Sequence, residues 1–432
     1  GHGALWKLAY DKGVFTWLFS LKKRKILVRQ INNPIAALDY GLLSFVGFGV
    51  KQKMLFGFAS CPRLLQAAEG VNVVVEKKNG EVALTNIEYC DFQKYGIEDL
   101  PLKEGEPYSR FSSNTNILFA DIASIEQAVQ LCPFPGLLIN LKDAVYTTHA
   151  GERKKSVMAR LESTMQNIAD VFVEPADAFL QRGGVMKKTF VTYNLRNKTI
   201  ATAKRAFIPG GSLRETPEEC FYVQLQSAKD LLEKECGFLL PEKRSLLETL
   251  AKGPETLFLY HPALGPLYSL IAQKIQQGTL REGSELQLEI ADLQMEGLYL
   301  DGSLRILATQ VMGHLEKGLL RYSNQTGRCV LRNVRVENRG VDWQKSHPFW
   351  KNQLRHQESL QITLNGFSEF VAEDVCFQGN HLFFVEEGTR MRVLQKANGE
   401  LVIQVEPLEK TSFWNYSVEK KRRGGILAVR SR

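Results

Sequence analysis

The feature that most limits what this chain can fold into is an alternating apolar motif that returns at a fixed step. Leu288-x-Ile290-x-Asp292-Leu293-x-Met295-x-Gly297 returns as Cys329-x-Leu331-x-Asn333-Val334-x-Val336-x-Asn338. It returns again as Phe370-x-Ala372-x-Asp374-Val375-x-Phe377-x-Gly379, so that Leu293, Val334 and Val375 are 41 residues apart. Apolar residues at every second position, closed by Asn or Gly, make short strands with turns at fixed places. Three copies in one register predict a β-solenoid, with two coils of about 20 residues per step. The alternative is an antiparallel sandwich with coincidental spacing.

Upstream of residue 284 the texture is different. Lys25–Gln30, Val71–Glu76, Val82–Tyr89 and Asn116–Ala120 read as strands, and Asn79-Gly80 reads as a type I′ hairpin turn. Pro34–Val46, Ser156–Phe172, Pro217–Cys236 and Leu270–Gln277 read as helices; in the second, Val157, Leu161, Met165, Ile168 and Phe172 share a face. Strands alternating with helices at this spacing predict an α/β sheet. The expected division is residues 1–280 for the α/β domain, 281–394 for the β-helix and 395–432 for a tail. Asn398-Gly399 offers a later boundary, after Glu406, by turning one more hairpin. In the tail Trp414-Asn415-Tyr416 is expected to dock and the chain from Lys420 onward to be disordered.

Composition narrows the function classes. The chain has 432 residues, 44% hydrophobic and 24% charged, which suits a globular protein with two or three cores. The longest apolar run, Leu42 to Val50, is broken by glycines and too short for a membrane span. The seven cysteines are scattered and form no CxxC pair, so reduced thiols in a reducing compartment are expected rather than disulfides or zinc. The net charge of +8 is spread over short runs such as Lys22–Lys25, Arg153–Lys155 and Lys420–Arg423. That pattern suits phosphate-bearing ligands and matches no nucleic-acid-binding motif.

Four polar clusters stand beside apolar strands: Gly1-His2-Gly3, Gln30-Ile31-Asn32-Asn33, Ile87-Glu88-Tyr89 and Asn114-Thr115-Asn116. Open α/β sheets bind ligands at the carboxyl ends of their strands. Amides and carboxylates suit sugar hydroxyls, and glycines admit a base or a phosphate close to the backbone. For any one cluster alone, turn chemistry is the better explanation; the set is more telling than its members.

The opening Gly1-His2-Gly3-Ala4-Leu5-Trp6-Lys7 resembles the Gly-His-Gly segment of UDP-glucose pyrophosphorylases, closest to the plastid type that serves sulfolipid synthesis. Gly57–Cys61, Glu69–Val73, Arg160–Asp170, His261–Leu267, Glu285–Ala291 and Asn338–Trp343 resemble the same family, which covers residues 1 to about 395. The resemblance implies an α/β nucleotide-diphospho-sugar transferase domain of the glycosyltransferase-A, Rossmann-like kind, incomplete at its N-terminus, followed by a C-terminal β-helix. It implies that UTP and glucose 1-phosphate are exchanged for UDP-glucose and pyrophosphate with Mg²⁺, and that the β-helix mediates homo-oligomers. It also implies a chloroplast stroma or a bacterial cytoplasm.

Carried over by position, the family places Gly1 and Gly3 on the uracil and His2 beside the sugar phosphate. Gln30 and Asn33 would line the site, Asn33 on the sugar or its phosphate. Glu88, Asn114 and Asn116 would take sugar hydroxyls, and Glu162 would line the pocket base. The family's Asp is Asn32 here, a neutral amide and a weaker Mg²⁺ ligand. The phosphate-contacting Lys of the family aligns with Arg214, with Lys204 or Arg205 as substitutes. The triphosphate-cradling Gly-rich loop lies upstream of Gly-His-Gly in the family. Gly1 therefore reads as a cut through the active site, and this stretch alone is expected to be inactive. The other readings are a non-catalytic UDP-sugar-binding or regulatory relative, a pyrophosphorylase of broader sugar range, and a pectin-lyase-like enzyme on the β-helix.

Overall fold

The computed structural model describes residues 1–36, 38–317, 319–323, 325–409, 413, 416–421 and 424–429. It divides into two compact units, Gly1–Ala201 and Thr202–Arg432.

The first unit is built on a mixed seven-stranded sheet. Helices α1 (Ala4–Asp11) and α2 (Val14–Ser20) precede β1 (Lys25–Val28) and α3 (Tyr40–Lys51). Then follow β2 (Phe56–Leu64), β3 (Val71–Glu76), β4 (Glu81–Ile87), β5 (Tyr108–Asp121) and α4 (Ile122–Leu131). A hairpin of β6 (Leu138–Thr147) and β7 (Arg153–Glu162) leads to a 3₁₀ turn, Met165–Val171, and to β8 (Glu174–Pro175) and β9 (Thr189–Tyr193). The sheet order is β8-β4-β3-β5-β2-β9, with β1 beside β5; only β2 and β9 run parallel.

Alternation along β5 divides the core in two. Leu118 and Ala120 join Phe56, Phe58, Trp6 and Ile168 on one face, while Ile117 and Phe119 join Phe45, Ala59 and Phe190 on the other. Asp121 ends β5 and caps α4, its carboxylate accepting from Ser124 N at 2.9 Å.

Three local expectations change. The helix expected over Pro34–Val46 begins at Tyr40, because the residues before it form a turn: Asn33 is tied by its side chain, and Ala36 and Asp39 take positive φ. It runs on to Lys51 through Gly49, where an added Cβ would lie 2.8 Å from the Phe119 ring. The Asn79-Gly80 turn is not type I′, which needs φ above zero at both central residues. Only Gly80 has it (+76°), and Gly80 N bonds Lys77 O at 3.0 Å while Lys77 N bonds Glu81 O at 2.7 Å. The helix expected over Ser156–Phe172 is instead strand β7 followed by the 3₁₀ turn, because β7 pairs with β6 from Leu138↔Glu162 to Thr147↔Arg153.

The second unit is a β-helix with two parallel sheets. One stacks Phe238–Leu239, Ile275–Leu280, Asp292–Asp301, Arg328–Arg332, Glu369–Glu373 and Thr389–Gln395. The other stacks Thr256–Tyr260, Ser284–Glu289, Ser303–Ala308, Leu360–Leu364 and His381–Val385. Inward Leu, Ile, Val and Phe side chains from both sheets form one core.

The 41-residue step holds between the last two copies, where Cys329 pairs Phe370 and Val336 pairs Phe377. The first step is 36, with Leu293 opposite Cys329 and Leu300 opposite Val336. The apolar pairs Leu288/Ile290, Leu293/Met295 and Leu298/Leu300 lie five residues apart, so the pattern admits more than one register. Each step is one coil enlarged by an insertion rather than two coils; the bare coils are 20 and 21 residues, Ile275↔Met295 and Phe370↔Met391.

The boundary expected at residue 281 falls inside this unit, since strands from Phe238 onward already pair in its sheets. Ile275–Leu280, expected as the end of a helix, is one of those strands. Asn398-Gly399 turns an antiparallel hairpin, Thr389–Gln395 with Leu401–Pro407. Tyr416–Lys421 pairs Gly424–Val429, so order continues past Lys420. Trp414, Asn415, Arg422 and Arg423 lie outside the described residues.

One ladder crosses the strands at a single register: Asp292, Arg328, Glu369, Arg390 and Glu406 alternate in sign from strand to strand. Arg328 lies 3.9 Å from Asp292 and 3.6 Å from Glu369, and Arg390 bonds Glu369 and Glu406. Opposite charges on adjacent strands offset burial that would be costly for any one of them alone.

Candidate functional site in the first unit

The register of the sheet gathers the predicted residues. Ile87 pairs Val71, and Val71 pairs Ser113. The next row across β4, β3 and β5 is therefore Glu88, Gly70 and Asn114, with Asn114 N on Gly70 O at 2.8 Å and Ser60 of β2 opposite Asn114. Gly70 is a close approach: an added Cβ would stand 2.5 Å from Asn86 Oδ1. Below the row, Arg196 grips Glu69 with both Nη atoms, at 2.9 and 2.5 Å, and Ser113 Oγ donates to Glu69 at 2.8 Å. Burial pushes the neighbouring Cys61 thiol up to about 12, so it is no nucleophile near neutral pH.

Gly1, His2 and Gly3 lie against the segment after Glu162. Gly3 N donates to Ser163 O at 2.8 Å, Met165 N to His2 Nδ1 at 3.0 Å, and Trp6 Nε1 to Met165 O at 2.8 Å. A Cβ on Gly1 would meet Ser163 N at 2.2 Å. Because Nδ1 accepts, the His2 proton belongs on Nε2. Desolvation by burial lowers the His2 pKa, and Glu162 partly opposes it. The ring is thus neutral at pH 7 and presents an N–H donor. Glu162 is half-buried and accepts from Arg160 Nε at 2.6 Å.

Glu88 lies at the end of β4, where Oε1 accepts from Asn86 Nδ2 at 2.8 Å and from Gln166 Nε2 at 2.9 Å. Asn167 Nδ2 fastens the 3₁₀ turn to β4 through Asn86 O (3.0 Å) and Thr85 Oγ1 (3.2 Å). Residues 163–167 therefore connect His2 to Glu88.

Asn114 and Asn116 are not at a strand end but inside β5. Asn114 Nδ2 donates to Asn116 Oδ1 at 3.0 Å, where φ of Asn116 is +56°. Gln30 to Asn33 form the turn after β1. Asn33 is buried, and both its amide atoms are bound to backbone, Nδ2 to Thr199 O and Oδ1 to Ala201 N, each at 3.0 Å. It holds the turn in shape. Asn32, the expected Mg²⁺ ligand, is half-buried. Among the described residues no three His, Cys, Asp or Glu side chains converge to hold a metal ion, so these side chains form no magnesium cage there.

Lys204 and Arg214 belong to the second unit. Lys204 pairs with Glu215 at 2.8 Å. Arg214 is exposed, and its guanidinium bonds no described carboxylate.

Sequence reasoning missed Asn86, Gln166 and Gly70. Asn86 was within reach, since positions two apart on a strand share a face with Glu88. Gln166 was hidden by assigning its segment to a helix.

The arrangement sets a glycine-lined segment with a neutral imidazole at one end and a fixed carboxylate with amides at the other, donors and acceptors that suit a hydroxyl-rich, phosphate-bearing ligand. The comparisons name the particular relatives. Residues 275–427 match the family described as UGP3-like, C-terminal hexapeptide repeats. The chain is 36% identical, over 97% of its length and 50% of the relative's, to the chloroplastic UTP–glucose-1-phosphate uridylyltransferase 3 of Arabidopsis thaliana. It therefore spans about half the length of the curated relative it matches. Among solved structures it is similar to UDP-glucose pyrophosphorylase from Leishmania major. A variant in complex with UDP-glucose is 14% identical with TM-score 0.33, covering 88% of this chain and 62% of that one; the open and closed forms give 16% and 0.34. Residues 275–427 are thus UGP3-like hexapeptide repeats, and the chain along nearly its whole length is similar to a chloroplastic UTP–glucose-1-phosphate uridylyltransferase. No helix among the described residues is long and apolar enough to cross a membrane.

Proposed function

We propose that the chain forms the sugar side of a UTP–glucose-1-phosphate uridylyltransferase. The observation that carries this reading is the bracket at residues 163–167, which ties His2 and Glu88 together on one short turn. A glucose 1-phosphate oxygen attacks the α-phosphorus of UTP, the bond to the bridging oxygen of the β-phosphate breaks, and pyrophosphate leaves. Proximity and neutralisation of charge supply the rate, and no covalent intermediate is needed. In this reading Glu88 and Asn114 hold sugar hydroxyls, Gly1 and Gly3 admit the uracil, and the Nε2–H of His2 donates to a phosphate oxygen. Magnesium, when bound, would neutralise charge on the substrate phosphates, and Asn32 would be at most a neutral neighbour. The compartment proposed is the chloroplast stroma, from the relative's chloroplastic description, and the β-helix is proposed to carry self-association.

The test is pyrophosphate release from UTP and glucose 1-phosphate by this chain and by the chain extended upstream. Turnover by the extended chain is expected. UDP-glucose binding without turnover there would support the binding-only relative instead.

A further inference from the structure

Glu88 is held by two amides whose other ends gain nothing. Asn86 Nδ2 and Gln166 Nε2 both donate to Glu88 Oε1. Asn86 Oδ1 and Gln166 Oε1 are buried, with no hydrogen-bond partner among the described residues. Gln166 is fully buried and Asn86 is 5% exposed. Rotating either amide by half a turn would aim a carbonyl oxygen at the carboxylate, so the orientation follows from the network. Two buried acceptors are left unsatisfied so that two donors meet one carboxylate oxygen, a cost usually seen where function demands it.

Two N–H donors on Oε1 fix the rotation of the carboxylate. Gln166 is also one residue from Met165, whose N–H bonds His2 and whose carbonyl accepts from Trp6. The donor that aims Glu88 and the donor that aims His2 are consecutive residues of one 3₁₀ turn.

We infer that Gln166, assisted by Asn86, is a positioning residue: it fixes Glu88 relative to His2 and so sets how a hexose hydroxyl is received while the attached phosphate is held. This rests on the sugar-nucleotide reading of the site. Gln166 touches no substrate itself and acts through Glu88. The rest of the nucleotide is indifferent to it.

Calorimetric titration of UDP-glucose and of UDP into the 432-residue chain tests this, using wild type, Q166M, E88Q and the double variant, each with a thermal melt. Q166M is expected to weaken UDP-glucose about tenfold and to leave UDP within about twofold, as for loss of one hydrogen bond to a charged group. In the E88Q background Q166M is expected to add less than about twofold, because the two residues act as a unit. The isosteric Q166E, which faces one carboxylate with another, is expected to weaken UDP-glucose at least as much and serves where Met fails to pack. Unchanged UDP-glucose affinity in Q166M and Q166E overturns the inference, as does equal loss of UDP or a full further loss in the E88Q background. Wild-type protein that binds UDP but not UDP-glucose overturns the sugar-site reading and this inference together.

Discussion

At the scale of single residues, the site depends on contacts that leave no slack. A Cβ on Gly3 would stand 2.1 Å from Ser163 Oγ and 2.8 Å from Ser163 C and Thr164 N, so backbone must shift, not just a flexible side chain. Gly3→Ala is expected to cost about 1–3 kcal/mol, the usual price of overpacking, read as a lower melting temperature. His2 adds a pH dependence. Its folded pKa lies below the ordinary 6.5, so as pH falls through 6.5 the unfolded chain takes up a proton that the folded ring refuses. Stability is full above that value, declines below it, and stops declining beneath the folded pKa. Urea unfolding from pH 7.5 to pH 5 is expected to show this decline in the wild type and a shallower one in His2→Gln; equal slopes would mean that folding does not lower the His2 pKa.

At the scale of elements, the two kinds of β-structure should respond in opposite ways to loss of an apolar side chain. The β6–β7 hairpin puts Ile139, Leu141, Val145, Val157 and Leu161 on one face by its register, and all five are 58–67% exposed. Leu141→Thr is therefore expected to shift stability by less than about 0.5 kcal/mol. Leu331, buried at 1% in a coil, should cost about 2–5 kcal/mol when cut to Ala. Thermal melts of the two variants check both. The same contrast explains what the sequence shows and what it hides. Coils are legible because Cys329, Leu331, Val334 and Val336 must all point inward, so burial enforces the alternation. The β7 strand was not legible: its apolar residues meet both a helical and a strand spacing, and pairing with β6, not burial, decides between them. The site was half legible. Gly3, His2 and Glu88 are named by their surroundings in sequence, whereas Gln166 acquires its role only through a contact with Glu88, 78 residues away.

At the scale of the whole molecule, the second unit carries charge into its core, and this sets its response to pH. Lys274 is 3% exposed, and its Nζ donates to Leu264 O at 2.6 Å and Ala291 O at 2.7 Å. Burial lowers its pKa from 10.5 to about 8, with Asp292 opposing. Folding therefore strains against a buried ammonium at neutral pH. Between about 8 and 10.5 the unfolded chain keeps a proton on Lys274 that the folded chain has released, so this residue's contribution to stability rises with pH in that window. The phenols of Tyr193 and Tyr222, whose pKa values burial raises, push the other way, so the Lys274 contribution is read from the variant. Replacing Lys274 by Met removes the charge but leaves two buried carbonyl oxygens without a donor. Lys274→Met is expected to unfold more easily than wild type at pH 10, where the wild-type amine is neutral and still donates, and to lose part of that disadvantage at pH 7. The measurement is guanidinium unfolding at both pH values. The fluorescence of Trp343 and Trp350 reports on the second unit, while Trp6 and Trp17 belong to the first. A disadvantage that is equal at both pH values would mean that Lys274 acts only as a hydrogen-bond donor and that its charge is not what strains the β-helix.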